Sequence, residues 1–203
     1  MSEPSELETE AQNACQRGDH AAAATLAVEG YGGEIMAFLL ARLRSRSDAE
    51  EVFAAFAERL WVGLPQFEWR CSLRSWAYRI ARNAATDFVS ALHNRADRRL
   101  PLSQHEGLAE LVDRVRSTTA VYRQTHAKDR MRELRETLAP DDQLLLILRV
   151  DRGMDFRELA AALGDHASTL EPDQLDREAA RLRKRFERVK DQLRDLARAD
   201  GLL

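Results

Sequence analysis

The stretch from Phe67 to Phe88 carries four arginines, one asparagine and two tryptophans, side chains suited to recognition rather than bond-making. Wound as a helix at about 100° per residue, it separates into two faces. Ile80, Ala84, Ala77, Phe88, Ala81 and Leu92 fall on one side, and Arg79, Arg82, Asn83, Thr86 and Ser90 on the other, with Trp76 at the edge of the polar stripe. Arginines on such a face pair with phosphates, Asn83 can make paired hydrogen bonds to a base edge, and an exposed aromatic can stack on an unpaired base. That combination suits partly melted DNA. The competing reading is a bundle helix whose alanines pack closely, with Trp76 in the core and the arginines merely solvated.

Charge supports a nucleic-acid partner only when read along the chain. The formal net charge is -3 over 203 residues, but it is segregated. Residues 1–66 carry eleven acidic and five basic side chains, residues 67–99 three and seven, and residues 172–190 four and seven. Two basic segments on an otherwise acidic chain predict two phosphate-facing surfaces, because potential is felt only within about a Debye length, roughly 10 Å. Two solvated helix faces are the alternative.

The elements that must position these residues are helical. Apolar residues make up 44% and charged residues 32%, a balance that fits a folded helical protein. Apolar positions recur at steps of three and four, and sustained alternation is absent. Helices are predicted near 10–28, 31–45, 47–63 and 72–94, the third capped by Ser47 or Asp48 and stopping before Pro65. Around 96–127 the pattern weakens, with Pro101, Gly107 and a polar run from Arg116 to His126, so a linker is predicted there, with room for some helix around Glu110 to Val115. A second core begins with Met131, Leu134 and Leu138, then Pro140 at a helix start and the run Leu144 to Leu148. Asp155 and Glu158 predict a capping box for a short helix closed by Gly164. Pro172 opens a long helix whose apolar residues are Leu175, Ala179, Leu182, Phe186, Val189, Leu193 and Leu196.

The motif Ser72-Leu-Arg-Ser-Trp76 followed by Tyr78-Arg-Ile-Ala-Arg-Asn83 resembles the promoter-reading segment of extracytoplasmic-function (ECF) sigma factors of the sigma-70 family. Upstream, Asp48 to Trp61 resembles the helix by which that family docks on the polymerase clamp. The resemblance implies an all-α fold of two small helical domains joined by a linker: a sigma region 2 bundle over 1–95, the linker over 96–127, and a sigma region 4 helix-turn-helix over 128–203. It implies that Arg74, Trp76, Arg79, Arg82, Asn83 and Thr86 contact the minus-ten element, with the turn Phe67 to Ser72 holding a flipped base. It places Asp48, Glu51, Phe53, Arg59, Leu60 and Trp61 on or under the clamp-binding surface. Ala54 and Ala55 depart from the Gln and Glu usual in the family.

Phe156 to Gly164 resembles the first helix of the family's minus-35-binding helix-turn-helix, and Ala180 to Phe186 the later part of its recognition helix. The link Asp165 to Gln174 is longer than usual and brings Glu171, Asp173 and Asp176 to the helix start, where acidic groups suit the helix dipole but oppose phosphate. Arg177, Arg181, Lys184 and Arg185 are the expected DNA contacts. The partners implied are core RNA polymerase, promoter DNA and an anti-sigma regulator. The runner-up is a sigma-like interaction protein whose C-terminal domain binds a protein regulator instead of DNA.

No phosphate loop, HExxH, catalytic triad ordering or close Cys/His cluster is present, and the five histidines are scattered, so neither an enzyme nor a cofactor or metal site is expected. Cys15 and Cys71 stand alone and are expected to be reduced. The acidic start and the lack of an uninterrupted apolar run of about 18 residues predict a cytoplasmic protein without membrane insertion.

Overall fold

The computed structural model describes residues 6–94, 133–164 and 172–202, with backbone alone for 92–94. Every regular element among them is helical, and they fall into two compact units, 6–94 in the first and 133–202 in the second. The predicted linker at 96–127, the helix suggested near 110–115, Met131 and the link at 165–171 lie outside the described residues.

The first unit is built from α1 (Glu6–Gln16), α2 (His20–Leu43), α3 (Arg46–Gly63), a 3₁₀ turn (Leu64–Gln66) and α4 (Leu73–Asn94). The first break comes earlier than the hydrophobic pattern predicted. Gly18, at φ +77°, ends α1 in a Schellman motif: Asp19 N–H donates to the Ala14 carbonyl and Gly18 N–H to that of Cys15, both at 2.9 Å. Asp19 then caps α2 by accepting from Ala22 N–H at 3.0 Å. The predicted break between 28 and 31 does not form, and Gly30, Gly32 and Gly33 all lie inside α2. Tertiary packing overrides their low helix propensity: Gly32 is buried, and a Cβ on Gly30 would overlap Leu7 Cδ1 of α1.

Gly33 has no such neighbour; a Cβ there meets nothing within 4 Å. Gly33→Ala is therefore expected to stabilise the unit by about 0.5–1 kcal/mol through reduced chain entropy, read as a raised urea midpoint at unchanged slope.

The cap of α3 is Ser45, not Ser47 or Asp48: its side chain accepts from Asp48 N–H, with Ser45 itself in an extended conformation. Asp48 instead sits in the first helical turn, where its charge suits the helix dipole. The helix ends at Gly63, two residues before Pro65. Phe38, Phe53, Phe56, Tyr78, Ile35, Leu39, Leu60, Leu64 and Leu73 are fully buried and fill the centre of the bundle. Phe38 meets Tyr78 edge to face at 5.6 Å. By length and composition α2 could cross a membrane, but half of its most apolar window is buried by the neighbouring helices, and Glu29 and Glu34 interrupt it.

In the second unit, residues 133–136 are helical and precede α5 (Pro140–Leu146), a π-helical turn (Ile147–Asp151), α6 (Phe156–Leu163) and α7 (Pro172–Ala199). Pro140 opens α5. The capping box forms as predicted: Asp155 Oδ1 accepts from Arg157 and Glu158 N–H at 2.8 Å each, and Glu158 accepts from Asp155 N–H at 2.7 Å. Leu138, Leu146 and Val189 form a core joined by Phe186, Leu193 and Leu196. From the predicted apolar stripe of α7, Ala179, Leu182 and Val189 are buried.

Candidate nucleic-acid interface

Helix α4 begins where a three-residue turn and an extended stretch have already folded the chain back. Phe67 stacks on Trp76 with ring centroids 4.5 Å apart and planes 15° from parallel, and it also meets Trp69 at 4.9 Å. Trp69 takes φ +57°, an unusual conformation for a bulky residue. Ser72 caps α4 by accepting from Ser75 N–H at 3.1 Å.

The turn accounts for the burial of Arg79 and Trp76, two of the four residues that depart from the helical wheel. On α4, Ala77, Ala81 and Ala84 are buried as expected, together with Tyr78 and Ala85. Ile80 and Phe88 are only half-buried, so the packed stripe is rotated from the predicted one towards Tyr78 and Ala85. Leu92's side chain lies outside the described residues. Arg79 belongs by spacing to the polar face, yet it is 9% exposed. The preceding turn is close enough for Cys71 to feel its charge: burial pushes the Arg79 guanidinium down and Cys71 partly restores it. The Arg79 Nη1 has no hydrogen-bond partner among the described residues. Trp76, expected at an exposed edge, is likewise 9% exposed because Phe67 lies over it. Burial pushes the Cys71 thiol up, so it stays protonated.

Arg74 is corrected in a different way. Its guanidinium makes a two-pronged pair with Glu34 of α2, Nε to Oε1 and Nη2 to Oε2, both at 2.8 Å. It also lies 5.9 Å from the Tyr78 ring centre. This fork holds α4 to α2 and is not available to DNA unless Glu34 is displaced. Beyond the turn, Asn83, Thr86 and Ser90 are exposed and Arg82 half-buried, so the solvent-facing part of the predicted stripe runs from Arg82 to Ser90.

On α3 the six expected docking residues divide. Glu51 and Arg59 are exposed, and Asp48 and Trp61 are half-buried. Phe53 and Leu60 are completely buried, so they lie under any docking surface and touch the core instead. Arg59 pairs with Asp87 of α4 at 2.7 Å. Ala54 is only 6% exposed, which limits what a longer side chain there would have added to a surface. Val62, absent from the sequence expectation, is 60% exposed beside Trp61. Its signal was a valine at the end of an otherwise amphipathic helix.

In the second unit Arg177, Arg181 and Lys184 are exposed along α7, at steps of four and three residues. Arg181 pairs with Glu178 at 3.4 Å. Arg185 departs from the expectation: its Nε donates to Asp142 Oδ1 of α5 at 2.6 Å, a structural contact. Asp176, expected to oppose phosphate, pairs with Arg157 of α6 at 3.3 Å, which reduces its repulsion. Glu171 lies outside the described residues.

Residues 27–95 match the family model described as Sigma-70 region 2. The match takes in most of α2, all of α3 and α4, and the turn between them, and it leaves out α1 and the second unit. No curated protein and no solved structure matches the chain.

Proposed function

We propose that this chain is a sigma factor of the ECF type, on the strength of the match of residues 27–95 to Sigma-70 region 2, which implies a non-enzymatic sigma factor binding core RNA polymerase and the minus-ten element. It directs core polymerase to promoters in the cytoplasm. The observation that carries this reading is the succession of surfaces at and along α4: an aromatic turn, Phe67 to Ser72, leading into the helix, then the solvent-facing stripe of half-buried Arg82 and exposed Asn83, Thr86 and Ser90. The turn supplies stacking surfaces for an unpaired base, Asn83 offers a donor and an acceptor to a base edge, and Arg82 supplies charge to the strand. Arg79, buried and close enough to Cys71 of the turn for the two to interact, helps hold the turn in place. Melting is aided because a base leaving the stack costs only a few kcal/mol, which stacking and phosphate contacts can offset.

Asp48, Glu51, Arg59 and Trp61 form the docking surface for the clamp, with Phe53 and Leu60 fixing its shape from inside. The domains are 1–95 for region 2, 96–127 for the linker and 128–203 for a region 4 helix-turn-helix reading the minus-35 element. In that domain Arg177, Arg181 and Lys184 meet phosphates while Arg185 holds α7 to α5. An anti-sigma factor would act by covering one of these faces.

The division of labour on α7 has a measurable consequence. Lys184→Ala is expected to weaken promoter binding and reduce the slope of log K against log salt by about 1. Arg185→Ala is expected to lower the stability of the second unit by about 1 kcal/mol with little change in that slope. Salt titrations of binding beside urea denaturation separate the two. The whole reading is tested by mapping transcript starts after overproduction: the starts gained should share a minus-ten element, and starts without any common upstream sequence would reject it.

A further inference from the structure

Glu8 sits in α1, outside the matched region, and is the one buried acidic residue among the described residues, at 8% exposure. Its carboxylate is held at the amino end of α4. Oε2 accepts from Leu73 N–H at 3.0 Å, Oε1 accepts from Arg74 N–H at 2.9 Å, and Oε1 also accepts from the Tyr31 hydroxyl of α2 at 3.1 Å. These are the first two backbone donors of α4, which no residue of the helix itself can satisfy. Ser72 serves the third, Ser75 N–H. A charged acceptor at this end also complements the helix dipole. Leu7 fixes the seat of α1 one residue earlier, lying where a Cβ on Gly30 would be.

We propose that Glu8 is a positioning residue for minus-ten reading: by capping α4 from 65 residues away it sets the first turn of that helix, and with it the aromatic turn Phe67 to Ser72. This rests on the reading of α4 as the minus-ten helix. The helix N-terminus is occupied by the chain's own carboxylate. Loss of the cap leaves two amides without their acceptor directly behind Ser72, and the path of the turn relaxes while the core of the bundle, made by other residues, stays packed.

The test uses the full chain bound to core polymerase, with Glu8→Gln, Glu8→Ala and Tyr31→Phe. Glutamine keeps the size of Glu8 but has one acceptor oxygen and an amide that cannot accept from the second N–H. In the unbound Glu8→Gln chain, hydrogen exchange of the Leu73 and Arg74 amides should accelerate. In the complex, affinity for a single-stranded minus-ten oligonucleotide should fall about tenfold while core affinity stays within about twofold, as expected for loss of a cap rather than of the fold. Tyr31→Phe, which leaves both amide contacts, should lose less. Accelerated exchange with undiminished oligonucleotide affinity would overturn the positioning role, as would core affinity falling in parallel with DNA affinity, the sign of a merely structural residue. Failure of the unmodified complex to bind any minus-ten strand would instead overturn the reading of α4 and the proposal with it.

Discussion

Phe53→Ala should destabilise the first unit by about 3–5 kcal/mol, the cost of emptying a large buried site, and abolish polymerase binding only as a result of unfolding. Phe53 is fully buried and packs 5.5 Å from Phe56, so none of its surface can meet a partner. Such a loss is comparable with the whole stability of many small domains, about 5–15 kcal/mol. Glu51→Ala, on the exposed face of the same helix, gives the opposite pattern: an unchanged urea midpoint with weaker core binding. If Phe53→Ala retained a native melting transition and lost core binding alone, the assignment of Phe53 to the interior of the bundle would fail. Urea denaturation of both variants beside a core-binding titration separates the two mechanisms.

Asn83→Ala should reduce discrimination at one minus-ten position by about 1–3 kcal/mol, roughly 5- to 150-fold, the range for a bidentate side-chain contact to a base. Asn83 is exposed on α4 beyond the aromatic turn, so its removal leaves no buried group unsatisfied and stability should not move. Core binding should be unaffected, because the docking residues proposed above lie on α3 and not on α4. Competition between oligonucleotides altered at single positions measures this. A uniform loss at every position would make Asn83 a backbone contact instead.

What could be read from the residues in order was chemistry confined to a few neighbours. The Asp155 and Glu158 capping box, the Pro140 and Pro172 helix starts and the stop before Pro65 each depend on residues within one turn. The polar stripe of α4 was legible in part for the same reason, since Arg82, Asn83 and Thr86 are neighbours on one helix. Three features were not legible because they depend on residues far apart in sequence. Arg79 has polar-face spacing but is buried near Cys71, in a turn that helical periodicity cannot place. Arg74 and Arg185 look like DNA contacts until Glu34 and Asp142, 40 and 43 residues away, are found on them. Glu8 carried no local signal at all; its partners begin at residue 31 and end at residue 74. The misplaced break near residue 30 has a related cause, since Gly30 is kept in the helix by contact with Leu7 of another helix.

The most direct measurement is reconstituted initiation: the purified chain, core RNA polymerase and a promoter chosen from starts gained on overproduction. Sigma-factor function requires specific transcripts that depend on the chain, vanish when the minus-ten element is scrambled, and fall sharply with Asn83→Ala while core binding holds. Transcripts indifferent to the minus-ten sequence, or none from a chain that binds core normally, would contradict it.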